Sequence, residues 1–301
     1  FNLHDQQIYY NVVNTPKQAT ISLLAPAYNE ATEINEVRGR AMQTIASMNQ
    51  LLQALIPGQV GKYDDAFEPR AFGDNIQKWG TSTILIESGG LVGDPEKQEV
   101  RKINFMLLLD ALYTIATRGY TQYTTEQYFA IPDNGIQLMD LIIEEMQVPI
   151  EGNWYPLDLA IRRRETESAG GFFYTGSVED LGDMQVFFGL ETLDASGLKY
   201  QEGKVFPTPF ESVKEVTLEK AMELLRQGFM AIKVKQESPR QLHDLPLVVL
   251  KSSDKFSGGW TTGVTPNFFL TKDGNYEFAL VNGYLIDLDR IPKEKFRNRI
   301  Y

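Results

Sequence analysis

The segment STILIE (82–87) constrains the fold of this chain most strongly. Its apolar residues are almost uninterrupted, which is typical of a strand buried on both faces of a sheet. The segment ends in a carboxylate, Glu87, and two glycines follow Ser88. Because a strand of this kind must be covered by other elements, the sequence around it predicts an α/β layer.

The rest of the first 118 residues supports that prediction. β-Branched and aromatic residues predict strands over 7–13 and 19–25. Apolar residues at three- and four-residue steps predict a helix from Val37 to Leu55, and a second helix is expected over 95–118. Residues 59–79 are expected to be irregular because they contain scattered Gly and Pro.

The remaining sequence changes character. Residues 119–150 are predicted to be a connecting loop and a short helix over 136–147. Residues 151–301 are predicted to be a β-rich accessory domain with one helix near 217–228. A hairpin turn is expected at 272–275, where Asp-Gly stands at the centre.

Composition excludes several classes of function. The net charge of −11 argues against nucleic-acid binding, which needs Lys and Arg to neutralise phosphates. The absence of cysteine excludes disulfides and thiolate metal sites, and no apolar stretch is long enough to span a membrane. Zero cysteine and an appended β-rich domain favour an extracytoplasmic bacterial location. The compartment and the oligomeric state are left open.

The two histidines and Glu87 are the candidates for chemistry. His4 and Glu87 each follow an apolar strand-like segment, and functional residues gather at the carboxyl edge of open α/β sheets. Two glycines beside Glu87 would leave room around a general base. The alternatives are a Glu87 that reaches water and a His4 that lies on the surface; His243 is expected to be a surface histidine.

Three segments, FNLHDQ, the loop IPGQVGKYDDAFEPRAFGDNIQKWG and TSTILIESGG, resemble the second half of an M14-type zinc carboxypeptidase domain. The resemblance covers residues 1–118. It implies part of a mixed-sheet α/β/α fold in which His4 is a zinc ligand and Glu87 the catalytic general base. It further implies that Tyr63 and Asp74 bind a peptide substrate, with one zinc ion as the cofactor.

Two departures from that family shape the expectation. The family's upstream H-x-x-E motif, which supplies two zinc ligands, has no counterpart in this sequence, and neither do its substrate-binding arginines. Phe1 also begins a strand-like segment. We therefore expect the chain to be the carboxyl-terminal portion of a longer zinc metallopeptidase that cleaves at a C-terminal residue. The alternative is a non-catalytic binding or scaffold protein that retains the fold with an incomplete metal site.

Overall fold

A computed structural model describes residues 1–168, 171–235, 242–293 and 295–301. The chain divides into two compact units, Phe1–Leu138 and Met139–Tyr301. The first is mixed α/β and the second is β-rich. Their boundary falls inside the predicted connecting segment 119–150. Across the described ranges, no helix is long and apolar enough to cross a membrane.

The first unit has six strands and four α-helices among its described residues. In chain order these are β1 (Asn2–Asp5), β2 (Asn11–Val12), β3 (Ile21–Leu24), α1 (Glu36–Leu55), β4 (Val60–Lys62), α2 (Phe72–Lys78), β5 (Leu85–Ser88), α3 (Gln98–Ala116), α4 (Thr125–Phe129) and β6 (Asn134–Gly135). A 3-10 helix at Gly119–Gln122 precedes α4.

Four of these strands form a mixed sheet in the order β1-β5-β3-β4. β1 and β5 are parallel, as are β3 and β4, and the two pairs meet in antiparallel register. One face of this sheet packs on α1 and α3 through side chains such as Ile21, Leu23 and Ile86. That apolar face anchors the sheet and leaves its opposite face for polar side chains.

The helices were predicted more accurately than the short elements. Both predicted helices form: α1 begins one residue before the expected range, and α3 lies within its own. The prediction of a strand over 7–13 was wrong except at Asn11–Val12, because most of this segment forms turns. The prediction that 59–79 is irregular was also wrong, since β4 and α2 lie within it.

The second unit is built mainly from strands. They are β7 (Leu138–Ile150), β8 (Asn153–Ser168), β9 (Gly171–Leu181), β10 (Phe188–Asp194), β11 (Lys199–Glu202), β12 (Lys204–Val205), β13 (Phe229–Val234), β14 (Leu242–His243), β15 (Val248–Lys251), β16 (Phe268–Lys272), β17 (Asn275–Val281), β18 (Tyr284–Asp287) and β19 (Asn298–Arg299). Helix α5 (Leu218–Arg226) follows a 3-10 helix at Val213–Glu215. The helix expected near 217–228 and the hairpin turn at Asp273-Gly274 are confirmed.

The main sheet of this unit runs β18-β17-β16-β11-β7-β8-β9, and β10 also pairs with β7. A smaller parallel sheet, β12-β13-β15, packs with α5 around a second core. The two cores bury alternate residues of the same strands: Phe268 and Leu270 lie in one, and Phe269 in the other.

The predicted helix over 136–147 was wrong, because β7 occupies this segment. Its pairing with β8 shifts between Ile143 and Met146, so that an extra residue bulges from the strand. Glu145 in this bulge has a φ of 59° and donates its backbone N–H to Asp158 at 2.9 Å. The six residues before the bulge are all buried and Glu144 and Glu145 are exposed, so the segment lacks the two-residue alternation that marks a strand with one buried face.

His243 was expected on the surface, and that prediction was wrong. His243 is only 8% exposed, because β14 pairs with β19 in antiparallel register. Its Nδ1 accepts a hydrogen bond from the backbone N–H of Leu245 at 3.3 Å. Burial lowers the pKa of this imidazole from 6.5 to about 4, so His243 is neutral at physiological pH.

Candidate active site

His4 and Glu87 lie side by side on neighbouring parallel strands. The register of β1 and β5 pairs the two residues, and His4 Nδ1 lies 3.1 Å from Glu87 Oε1. The Glu87 side chain is 10% exposed, whereas that of His4 is 54% exposed. The apolar residues before Glu87 place β5 inside the sheet, and the end of the strand brings the carboxylate beside the imidazole.

This pair belongs to a row of residues that crosses the whole sheet. Glu87 pairs with Ser22 of β3, and Ser22 pairs with Gly61 of β4. Paired residues project to the same face of a sheet, so the row lies on the face away from α1 and α3. We call this face, defined by His4, Glu87, Ser22 and Gly61, the polar face.

Gly61 allows a further polar residue to approach this row. A Cβ atom at this position would lie 2.9 Å from Cβ of Asn134, which no real side chain tolerates. With glycine in place, Asn134 Nδ2 donates a hydrogen bond to Ser22 Oγ at 3.3 Å. The polar face therefore carries an imidazole, a carboxylate, a hydroxyl and an amide.

Tyr63 lies on the same face, two residues beyond Gly61. Its backbone N–H donates to Leu23 O at 3.0 Å, which fixes the segment just after β4. Its hydroxyl lies 3.4 Å from the hydroxyl of Tyr10, and the two rings stack at a centroid distance of 6.1 Å. This hydrogen bond, burial and the negative charge of Glu87 all raise the pKa of Tyr63, which keeps it a neutral phenol.

Asp74 lies at the other end of the sheet. A Cβ on its neighbour Gly73 would lie 3.7 Å from Thr83 Cγ2, which places the start of α2 beside the amino end of β5. Thr83 precedes Glu87 by four residues, a distance of roughly 13 Å along a strand. Asp74 accepts the backbone N–H of Glu68 at 3.1 Å, and burial raises its pKa.

Glu87 experiences opposing electrostatic influences. Burial raises the pKa of its carboxyl, the adjacent His4 lowers it, and the charge of Asp5 raises it, with a net upward shift. Asp5 is itself ion-paired with Lys97, the residue before α3. A carboxylate whose pKa is raised towards neutrality is a better general base than an exposed one.

The glycines after Glu87 have a different purpose from the one expected. A Cβ at Gly89 would lie 2.4 Å from the carbonyl oxygen of Ala19, and one at Gly90 would lie 2.5 Å from Gln18 Nε2. Both glycines are buried. They permit close packing against the segment before β3 and do not open space around the carboxylate.

The described residues fit only part of a zinc centre. A catalytic zinc takes three protein ligands and leaves one position open. His4 supplies one accessible imidazole with a carboxylate beside it, but the described parts of the chain contain no group of three His, Cys, Asp or Glu residues placed to hold a metal.

Sequence reasoning missed Tyr10, Ser22 and Asn134. Tyr10 fell within a predicted strand, and Ser22 is a single polar residue in the apolar run ISLL. Asn134 meets Ser22 across 112 residues of sequence. Side chains alternate between the two faces of a strand, so Ser22 between Ile21 and Leu23 could have been assigned to the face opposite those two residues. The contact between Asn134 and Ser22 has no signal in the sequence.

Comparisons with known proteins give only distant similarities. No protein-family model and no curated protein matches the chain. An N-acyl-D-glutamate deacylase from Bordetella bronchiseptica, solved with zinc and a phosphonate inhibitor, is 18% identical over 33% of this chain, with a TM-score of 0.23. A D-hydantoinase is 12% identical over 38% of the chain, also with a TM-score of 0.23. The matched parts span 19% and 27% of those two chains.

Proposed function

We propose that the first unit carries the general base and one metal ligand of a zinc-dependent metallopeptidase with a zinc-carboxypeptidase-like fold. The observation that supports this most directly is the 3.1 Å contact between His4 and Glu87 on the polar face. An accessible imidazole beside a buried carboxylate combines a metal donor with a proton acceptor. The proposed substrate is a peptide, cleaved next to its C-terminal residue.

In this proposal Glu87 moves the proton. Its carboxylate would take a proton from the attacking water and pass it to the leaving amine, and its raised pKa makes it a stronger base for the first of these transfers. Zinc, when bound, lowers the pKa of water and polarises the scissile carbonyl. His4 is the one residue of this chain that we propose as a zinc ligand.

Tyr63 and Asp74 would bind the substrate. The Tyr63 phenol stays protonated, so it can donate a hydrogen bond to a peptide lying on the polar face. The buried Asp74 would contact the side chain of the C-terminal residue.

The test uses protein isolated from the cells that produce it, so that any bound polypeptide is retained. Glu87→Gln is expected to keep the bound zinc and to lower hydrolysis of a blocked dipeptide by about 10²- to 10⁴-fold. His4→Ala is expected to lose zinc. Glu99→Gln removes the same charge from the exposed first turn of α3 and serves as the matched control. Full activity in Glu87→Gln would refute the general-base assignment.

A non-catalytic binding protein is the second candidate. The observation that favours it is the absence of a three-donor metal cluster from the described residues. Under this alternative, the isolated protein contains no zinc and His4→Ala does not change its metal content. Zinc analysis of the wild-type protein and the His4→Ala variant therefore discriminates between the two candidates.

A further inference from the structure

Three tyrosines of the first unit form a row of stacked rings. The rings of Tyr9 and Tyr10 stack at a centroid distance of 5.6 Å, with 14° between their planes. Tyr10 and Tyr63 stack in turn at 6.1 Å, with 29° between their planes. We call these three residues the tyrosine row. Because aromatic rings at such distances attract one another, Tyr10 is held between two ring neighbours.

The backbone of Tyr10 is fixed at the amino end of β3. Its carbonyl oxygen accepts the backbone N–H of Ala19 at 2.9 Å. Two residues earlier, Ile8 O accepts a hydrogen bond from Gln18 Nε2 at 3.0 Å, and directly after Tyr10 the chain forms β2, which pairs with β6. Tyr10 therefore enters the row from a segment that is hydrogen-bonded on both sides.

The backbone of Tyr63 is fixed at the carboxyl end of β3. Its N–H donates to Leu23 O, and two residues later Asp65 forms an ion pair of 2.5 Å with Arg38. The Arg38 side chain is fully buried and also donates to Ala25 O at 3.2 Å. With its backbone held before and after, the freedom that remains to Tyr63 is rotation of its side chain.

The contact with Tyr10 restricts that rotation. The Tyr63 side chain is only partly buried, so core packing does not lock it. Tyr10 supplies two restraints, the ring stack and the hydroxyl at 3.4 Å. A phenol has one O–H proton, so two phenols that share one hydrogen bond keep one O–H free for a third group. The pair therefore presents a donor whose direction Tyr10 helps to set.

The orientation of Tyr63 decides whether it and Glu87 can reach the same ligand. The sheet register places Tyr63 two strands across from Glu87, roughly 10 Å, and two residues along, roughly 7 Å. The ring must lean along the polar face to span this separation. The hydrogen bond with Tyr10, burial and then the charge of Glu87 raise the pKa of Tyr63, so the carboxylate acts on the phenol in this orientation.

We propose that Tyr10 is a positioning residue that holds the phenol of Tyr63 on the polar face in its substrate-binding orientation. In one respect this rests on the proposed function, namely the binding of substrate by Tyr63. Tyr10 acts through Tyr63 and has no part in moving the proton. A side chain that is already oriented loses less rotational freedom when a ligand binds, so Tyr10 strengthens binding and leaves the chemical step unchanged.

The first test is a double-mutant cycle on hydrolysis of a blocked dipeptide, with protein isolated from the cells that produce it. Tyr10→Phe removes the hydroxyl and keeps the ring. It is expected to raise KM about three- to tenfold, the equivalent of one hydrogen bond, with kcat nearly unchanged. In a Tyr63→Phe background, Tyr10→Phe should have no further effect. Effects of the two substitutions that simply multiply would overturn the proposal.

Tyr123→Phe is the matched control for the lost hydroxyl. The Tyr123 hydroxyl donates to Gln50 Oε1 at 2.6 Å, in the same unit but outside the tyrosine row. This variant is expected to keep the KM of the wild-type protein. An equal rise of KM in Tyr10→Phe and Tyr123→Phe would mean that the loss of any such hydroxyl has this effect, and it would overturn the proposal.

A fluorine label reads the orientation of Tyr63 without any substrate. A fluorinated tyrosine is placed at position 63 alone, and its fluorine NMR resonance is recorded in the folded and the urea-unfolded chain. Tyr10→Phe is expected to move the folded resonance towards the unfolded one, and Tyr10→Ala to move it farther, because alanine also removes the ring stack. Tyr123→Phe should leave it in place.

An identical resonance in the wild-type protein and Tyr10→Phe would overturn the proposal. Tyr10→Phe removes a single oxygen atom, so it decides the question even where Tyr10→Ala does not fold. The label also separates this inference from the proposed function. A wild-type protein that hydrolyses no peptide but shows the expected fluorine shifts would refute the proposed function and leave the positioning of Tyr63 by Tyr10 intact.

Discussion

Acidification should destabilise the second unit through His243. The folded pKa of this buried imidazole is about 4, against 6.5 for the free side chain. Between these values the unfolded chain binds a proton that the folded unit does not, so stability is complete above pH 6.5 and is lost as the pH falls towards 4. The full difference of about 2.5 pKa units corresponds to about 3 kcal/mol, and about 2.5 kcal/mol is already lost at pH 4.5.

Urea unfolding of the whole chain at pH 7 and pH 4.5 measures this effect. The chain has three tryptophans, of which Trp79 belongs to the first unit and is 72% exposed. In a Trp79→Phe background, fluorescence therefore reports the second unit. With a urea slope of about 2 kcal/mol per molar, the expected loss moves the midpoint down by roughly 1.2 M.

The matched variant is His243→Asn, which keeps an acceptor for the N–H of Leu245 and cannot titrate. Carboxylates such as Asp140, whose burial raises its pKa, change stability in the opposite direction as the pH falls. They are present in both proteins and cancel in the comparison. The midpoint shift of the Asn variant should therefore be smaller by the amount due to the imidazole. Equal shifts in the two proteins would refute the assignment.

Two further predictions concern packing. Gly61→Ala should lower the stability of the first unit by about 1–3 kcal/mol, because the added Cβ meets Asn134. Gly39→Ala in the interior of α1, where no atom lies closer than 3.9 Å, should raise the stability by about 0.5–1 kcal/mol. Thermal unfolding measures both changes, and equal effects of the two variants would contradict the steric argument. Asn282→Ala should cost more than 3 kcal/mol in urea unfolding, since it orphans the backbone N–H of Gly176 and the carbonyl of Tyr174, and a loss under 1 kcal/mol would contradict this.

The features that depend on local pattern could be predicted from the sequence. Long amphipathic helices such as α1 carry several turns of consistent spacing, and the Asp273-Gly274 turn has a backbone requirement that few residues meet. β7 could not be predicted, because its first six residues are all buried and show no two-residue alternation before the bulge at Glu144 and Glu145. The burial of His243 depends on β19, which lies more than 50 residues away.

The candidate site shows the same division. The sequence predicted Glu87 and His4 separately, each as a polar residue that follows a strand. Their contact depends on the pairing of β1 with β5 across 83 residues. Ser22 and Gly61 complete the row only because β3 and β4 pair in one particular register. A shift of one residue would turn Ser22 towards α1 and α3 and would bring Leu23 beside Glu87.

That register ties the polar face to the stability of the first unit. Ile21 and Leu23 must remain in the core on one side for Ser22 to stand beside Glu87 on the other. The burial that raises the pKa of Glu87 therefore comes from the same packing that holds the sheet together.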